Sequence, residues 1–562
     1  RDKAQWSTVV KRYLALCCCL LGLLLNPALN PAYANTEKTN TDTSIEVSVV
    51  SSPEIQSLLT ELTKKSLNKA VPVLQQLEQS GGEAMLPLFR TMLGGNLYFI
   101  KANRQVISVT KAESGKAFAN VFTGEALPEF TKKQIKKIRV NNRLRGYLRD
   151  AIARIQLSSS DPAAREKAVR NLLSDLDQPT IEAIQTVRVN ESNTAVQEMM
   201  DLALAMHKLT NAALAVDQLD AVEALSGSLE SEVRNLLARV SESENYEPAV
   251  NKAATSALVK IQDKVEFYAF IDQLFFGLSL GSVLLLAAIG LAITFGVMGV
   301  INMAHGEMIM LGAYTTYVVQ LMLPNHIEYS LWLAIPLAFI VSGLMGVLIE
   351  RGVIRFLHGR PLETLLATFG ISLILQQLVR TIFSPLNRQV ASPEWMSGSI
   401  EINPVLSLTL NRLYILAFAL LVFFLLQLIL KKTSLGLNVR AVSQNRNMAR
   451  AMGVRSDWVD AMTFGLGSGI AGIAGVALSQ LTNVGPNLGQ AYIIDSFMVV
   501  VFGGVGNLLG TLVAAFSLGI ANKFLEPVTG AVLASILVLV FNILFIQKRP
   551  KGLFPQKGRA AE

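Results

Sequence analysis

Two kinds of hydrophobic pattern divide this chain. Between residues 273 and 547 the apolar residues form runs free of charge. No Asp, Glu, Lys or Arg occurs in Gln273–Gly306, Met308–Ile327, Tyr329–Ile349, Ala461–Ile494, Ser496–Asn522 or Pro527–Gln547, and shorter apolar runs fill Thr364–Val379 and Leu413–Leu430. A helix needs about 20 residues to cross the hydrocarbon core of a bilayer, so these runs predict a polytopic helical membrane domain. The first and fourth runs are 34 residues each, about 50 Å as straight helix against a core of about 30 Å, so they must tilt, break or turn. Gly290, Gly296, Gly299, Gly467, Gly469, Gly472 and Gly475 suit breaks or close helix contacts.

Before residue 273 the pattern is that of a water-soluble helical segment. Ala163 to Leu173 places apolar residues three and four apart behind Asp161-Pro162, a good helix start, and comparable openings recur at Asn193-Thr194, Glu230-Ser231 and Glu247-Pro248. Their irregular spacing resembles degenerate HEAT-like helix pairs. Leu97–Ile100 and Gln105–Val109, flanking Lys101-Ala102-Asn103-Arg104, predict a small hairpin. His207 is the only histidine here and falls on a helix with Met206 and Leu209, so it reads as a helix residue and not as a metal ligand. The segment reads as a docking or scaffolding module.

The first 34 residues follow a third pattern. Arg1, Lys3, Lys11 and Arg12 precede an apolar stretch from Leu14 to Leu25 and then Ala32-Tyr33-Ala34, the order of a cleavable signal peptide. The expected organisation is therefore a signal peptide at 1–34, a mainly helical periplasmic domain at 35–265 and a transmembrane domain at 266–562. All three cysteines, Cys17, Cys18 and Cys19, fall in the leader, so cleavage after Ala34 removes disulfide, thiol and cysteine-metal chemistry together.

Charge orients the membrane half. Fourteen basic residues lie on three segments: Arg351, Arg355 and Arg360; Lys431, Lys432, Arg440, Arg446, Arg450 and Arg455; and Lys548, Arg549, Lys551, Lys557 and Arg559. Only Arg380, Arg388, Arg412 and Lys523 lie on the opposite side. Short basic loops stay cytoplasmic, so the front domain faces out and the C-terminus faces in. That requires an odd number of crossings, and about nine result if the last stretch splits at Gly503-Gly504-Val505-Gly506-Asn507 and near Glu526-Pro527. The composition agrees, with 51% hydrophobic and 16% charged residues and a mean hydropathy of +0.41. The net charge of +8 sits in short loops between apolar runs and so reports topology, not nucleic-acid binding.

The polar residues inside the apolar half are few: His305, Glu307 and Asp495, with Asn302, Asn483 and Asn507 as neutral donors and acceptors. Ionisable groups at such depth are costly, which makes these six the candidates for a substrate pathway. Dispersed as they are, they form no hydrolytic or metal site. Glu307 and Asp495 keep a proton-coupled transporter open, and a channel or membrane sensor is a further reading from another class.

The loop from Lys431 to Arg455 is more specific. After Ser443 as N-cap, Met448, Ala449, Ala451 and Met452 fall on one side of a short helix that Gly453 can end, and Ser456 opens the next as its cap. Such a helix offers a surface to a soluble partner. It resembles the coupling helix of ABC importer permeases, Ala449 and Gly453 matching the Ala-x-x-x-Gly part of that motif, although the motif's opening glutamate is absent.

Over residues 271–559 the chain resembles the branched-chain amino acid and urea permease family. Gly290 to Glu307 (GLAITFGVMGVINMAHGE) matches the opening block, Val501 to Asn507 the late glycine block, and Arg549-Pro550-Lys551-Gly552-Leu553 the C-terminal signature. Trp395-Met396-Ser397-Gly398, Asp495, and the front domain with its segment Val140-Asn141-Asn142-Arg143-Leu144-Arg145 are similar to the urea type. The resemblance implies a multi-pass protein of the bacterial inner membrane, in contact with lipid, that translocates urea. It also implies a periplasmic substrate-binding protein, a second permease subunit and two cytoplasmic ATPase subunits. Branched-chain amino acids or another small amide are the alternative cargo. No G-x-x-x-x-G-K-[ST] phosphate loop occurs, so the chain is expected to hold no cofactor, to be no enzyme, and to rely on ATP hydrolysed by its partners.

Overall fold

The computed structural model describes residues 52–64, 70–112, 115–128, 130–131, 134–357 and 359–554. The expected leader, Lys557 and Arg559 lie outside these. The chain divides into two compact units, 35–266 and 267–562.

In the front unit, α1 (Pro53–Lys64), α2 (Val71–Gly81) and α3 (Leu86–Leu93) precede four short strands, β1 (Leu97–Ile100), β2 (Val106–Ala112), β3 (Gly115–Asn120) and β4 (Ile135–Lys137). Helices α4 (Asn142–Gln156), α5 (Pro162–Leu172), α6 (Gln178–Arg188), α7 (Thr194–Asn211), α8 (Ala215–Leu225) and α9 (Ser231–Glu242) follow, and α10 spans Pro248–Met298. Helices begin at the four predicted starts, although Glu230 makes no side-chain cap bond. Asn141, Asp161, Asp177 and Asn193 each accept a backbone N–H of the first turn, and Pro162 needs no partner there. The hairpin is present, with Leu97 opposite Ser108, but it forms the middle of an antiparallel sheet of order β3-β2-β1-β4. Helices α4 to α9 and residues 250–261 of α10 share one apolar core. His207 is half-buried on α7 beside Asn211.

From Phe267 onward the helices are the rest of α10, then α11 (His305–Met322), α12 (Ile327–Gly352), α13 (Pro361–Phe383) and α14 (Leu410–Lys432). After α14 come two short helices, α15 (Ser434–Gln444) and α16 (Arg446–Ala451), then α17 (Ser456–Ser479), α18 (Leu488–Gly503), α19 (Leu508–Thr529) and α20 (Ala531–Lys548). Nine helices of the described residues thus carry the apolar runs. Seven are long and apolar enough to cross a membrane, and α18 is a shorter apolar helix. Both 34-residue runs are broken, at 299–304 and at 480–487. The split at 503–507 is present. The later one falls at Gly530 and not at Glu526-Pro527, because Pro527 is accommodated inside α19 and the left-handed Gly530 (φ 83°) ends the helix.

The solvent of this unit is legible in α13. Its buried residues are mostly polar, with Thr364, Thr368, Ser372 and Gln376 beside Leu375 and Val379, while Leu362, Leu366, Leu373, Ile374 and Leu378 are exposed. That is the reverse of a helix in water, and it identifies hydrocarbon as the surrounding medium. The unit is an all-α polytopic membrane domain.

Candidate substrate path and coupling face

The break after α10 returns the chain alongside the helix it has just left. His305 Nε2 donates to the Ala287 carbonyl at 2.9 Å, and Ala287 lies eleven residues before the end of α10. Helix α11 therefore starts about 16 Å back along α10. Helix α18 begins after a similar break, and the two N-terminal turns meet: a Cβ on Gly306 would stand 2.6 Å from the Gly489 carbonyl oxygen, and one on Gly489 closer still to that of Gly306. Gly290 and Gly467 meet in the same reciprocal way. Bulkier residues at these positions would separate the helices, so the glycines of the long runs are contact points. Gly299 (φ 68°), where a Cβ would meet nothing within 4 Å, instead marks a break.

Around this junction Asn302, His305 and Glu307 are at most 1% exposed. Asn302 Oδ1 accepts the Ala304 N–H at 3.0 Å, turning the chain into α11. The Met303 N–H donates to Thr368 Oγ1 at 3.1 Å. Glu307 Oε1 accepts from Ser372 Oγ and from Gln376 Nε2, both at 2.8 Å. As the carboxylate in the first turn of α11, Glu307 also faces the positive end of the helix dipole. Three polar atoms here are buried without a partner among the described residues: Asn302 Nδ2, His305 Nδ1 and Glu307 Oε2.

Helix α13 supplies what the sequence reading missed. Thr364, Thr368, Ser372, Gln376 and Arg380 recur every fourth residue along about 24 Å of one face. This polar period of four inside an apolar run was a readable signal. Arg380 ends the stripe by donating to Asn487 Oδ1 at 2.7 Å.

The other pathway candidates lie elsewhere. Asp495 is half-buried on α18 and makes no ion pair among the described residues. Lys523, considered as its partner, pairs instead with Glu526 one turn away on α19, where the spacing brings the two side chains together. Asn483 is an exposed residue of the α17–α18 connection, held at the surface because its neighbour Val484 pairs its backbone with Arg388. Asn507 is the N-cap of α19: its Oδ1 accepts the Gly510 N–H at 3.2 Å and its Nδ2 donates to the Phe554 carbonyl at 3.2 Å. Its amide is thus committed to the backbone.

The loop after α14 forms the short helix α16, with different caps from those expected. Asn445, not Ser443, is the N-cap, accepting the Met448 N–H at 2.9 Å, because Ser443 falls inside α15. Ser456 is the first residue of α17 and accepts from Arg450 Nε at 2.6 Å in place of capping. Gly453 (φ 88°) ends α16 as expected: its N–H reaches Arg450 O and the Val454 N–H reaches Ala449 O, a Schellman arrangement. The side of α16 is also corrected. Ala449 is 5% exposed and packs with Val439, Val442 and Val459, whereas Met448 and Met452 are 61% and 79% exposed. Successive positions differ by about 100° around a helix, so Met448 and Ala449 present different sides.

Residues 273–546 match the family described as branched-chain amino acid transport system / permease component. The high-affinity branched-chain amino acid transport system permease protein BraD of Pseudomonas aeruginosa is 30% identical over 298 residues, covering 51% of this chain and 96% of that protein. The chain belongs to this permease family. LivH of Salmonella typhimurium, named as a permease of the same kind of system, is 30% identical with the same two shares covered. The ribose import permease protein RbsC of Haemophilus influenzae is more distant, at 25% identity over 36% of this chain and 62% of its own length. No solved structure matches. As a permease of this family the chain is a multi-pass membrane subunit of an ABC transporter and not itself an enzyme, since ATPase activity lies in partner subunits.

Proposed function

We propose that this permease translocates urea, received from a periplasmic binding protein, in an assembly with a second permease and two cytoplasmic ATPases that hydrolyse the ATP. The observation that carries the reading is the set of unpartnered atoms at the α11–α18 junction. Glu307 Oε2 is a free acceptor and Asn302 Nδ2 a free donor. Urea, a neutral molecule with four N–H donors and one carbonyl, needs both and no fixed ion pair. Asn302, His305 and Glu307 form the narrow point of the path in this proposal, and Asp495 is a further acceptor along it. The similarity of Trp395 to Gly398, of Asp495 and of the front unit to the urea type supports the same cargo. In this reading the front unit is periplasmic and α16 seats in an ATPase through Met448 and Met452.

Branched-chain amino acids are the second reading, favoured by what the names of the relatives say they transport. Uptake of labelled urea and labelled leucine by cells with and without this gene, and with each ATPase disabled, separates the two. Gene-dependent urea uptake that stops without the ATPases supports the proposal. Gene-dependent leucine uptake with no urea uptake overturns it.

A further inference from the structure

Where α12, α16 and α17 approach one another, the structure gathers seven charged side chains: Glu350, Arg351 and Arg355 at and after the end of α12, Arg446 and Arg450 on α16, and Asp457 and Asp460 in the first turns of α17. Arg446 and Asp460 form an ion pair in which Asp460 is nearly inaccessible. Arg450 reaches Asp457 at 3.2 Å, and Arg355 reaches the same carboxylate at 3.6 Å from the α12 side. Glu350, 2% exposed, has Arg351 at 3.6 Å. The cluster is incompletely satisfied, since Glu350 Oε2, Asp460 Oδ1 and Arg446 Nε are all buried without a hydrogen bond among the described residues.

Three orphaned atoms on charged groups in one place need a reason, because each costs what its missing hydrogen bond would have returned. A joint with two arrangements supplies one: groups left unpaired in one arrangement are paired in the other. The connection onward is close-packed. Above the cluster, Gly343 and Gly346 of α12 lie against Gly465 and Ser468 of α17, and α17 continues to Gly290 through Gly467. A displacement of α16 is carried by α12 and α17 as packed bodies toward the α11–α18 junction.

We infer that the Arg446–Asp460 pair, with Glu350 beside it, is the positioning joint that converts movement of α16 into movement of α12 and α17 during transport. This rests on the ABC permease assignment and on the reading that α16 seats in an ATPase, and is independent of which cargo is carried.

The test uses the complete transporter in proteoliposomes, with labelled urea and labelled leucine each presented on the binding protein, and reads cargo moved per ATP hydrolysed. Asp460→Asn and Glu350→Gln are expected to lower that ratio about fivefold or more with normal abundance of the assembled complex. The exchange of Arg446→Asp with Asp460→Arg is expected to recover part of it. An unchanged ratio in both single variants overturns the inference. Should the single variants fail to assemble, the exchange decides: abundance restored together with the ratio supports the joint, and abundance restored with the ratio still lost overturns it, leaving the pair a packing element. Failure of the cargo reading is seen separately, as leucine moving in place of urea.

Discussion

Gly306 of α11 and Gly489 of α18 face each other so closely that neither backbone leaves room for the other to carry a methyl group. Replacing either by alanine forces the two N-terminal turns apart, an overpacking cost of about 1–3 kcal/mol. Thermal unfolding of the detergent-solubilised permease is expected to show Gly306→Ala and Gly489→Ala destabilised by that amount. Gly370→Ala, where a Cβ meets nothing within 4 Å, is expected to be neutral or slightly stabilising.

Glu307 is held by α13 through one oxygen only. Gln376→Leu removes a hydrogen bond to a buried carboxylate and is expected to lower stability by about 1–3 kcal/mol. Glu307→Gln keeps the size of the side chain and exchanges one acceptor for a donor. In the urea reading it is expected to leave abundance in place and to reduce uptake of labelled urea. Unchanged uptake would place Glu307 outside the path.

Asp495 has no cationic partner among the described residues, and Lys523 is engaged with Glu526. Asp495→Asn is therefore expected to leave permease abundance unchanged, and addition of Lys523→Gln to restore nothing. A carboxylate that accepts from passing cargo contributes about 1.5–3 kcal/mol, so transport affinity for urea is expected to fall roughly tenfold or more. Rescue by Lys523→Gln would refute this arrangement.

The front unit contains two carboxyls whose protonation pulls stability in opposite directions. Burial, reinforced by Asp175, pushes Asp150 on α4 up to about 6 from 3.8. The folded state then binds its proton more tightly than the unfolded chain does, so stability falls as pH rises from about 4 to 6. The Arg165 guanidinium and the backbone N–H of Asn193 and Ser192 hold Glu191 down to about 2 from 4.5, so its contribution is present above pH 4.5 and is lost as pH falls toward 2. Hydrogen exchange over α4 and α5 in the full chain checks both. Asp150→Asn is expected to gain about 1 kcal/mol at pH 7, screening of a part-exposed group considered, and nothing below pH 4. Arg165→Gln is expected to lose protection at pH 7 and progressively less at lower pH.

Ala449 faces the interior and Met452 faces out, which separates folding of the coupling loop from docking. Gly453→Val forces a β-branched residue into the left-handed region at a cost of about 1–2 kcal/mol, and Asn445→Ala removes a cap worth about 1 kcal/mol. Both are expected to loosen α16, seen as faster hydrogen exchange. Met448→Glu and Met452→Glu are expected to leave α16 folded and to weaken co-purification of the ATPase subunits.

The elements of the membrane unit were legible because charge-free runs of fixed length have few alternatives in a bilayer, and even the turn at 503–507 followed from them. The breaks at 299–304 and 480–487 were legible only as excess length, since their position depends on which glycines meet, a matter of tertiary contact. The sheet was half visible. β1 and β2 show strand patterns, but β4 is three residues with two lysines, too short for a period. Asn302, His305 and Glu307 were legible as candidates because polar residues stand out in an apolar run. Their partners Ser372 and Gln376 were missed because a single hydroxyl or amide per turn does not interrupt such a run. Asn483 and Asn507 stand on a helix connection and at a helix N-cap, positions that a place in an apolar run does not reveal.

The hydrogen bonds from Ser372 and Gln376 to Glu307 span 65 and 69 residues of chain, which imposes an order on biogenesis. When α11 leaves the ribosome its carboxyl group has no mate, and the helix that satisfies it has not yet been synthesised. A lone carboxyl group in lipid is costly, so insertion of α11 becomes more favourable once α13 arrives. Entry of the three helices as one consignment is then favoured, and a ribosome that stalled between them would strand an acid without its partners.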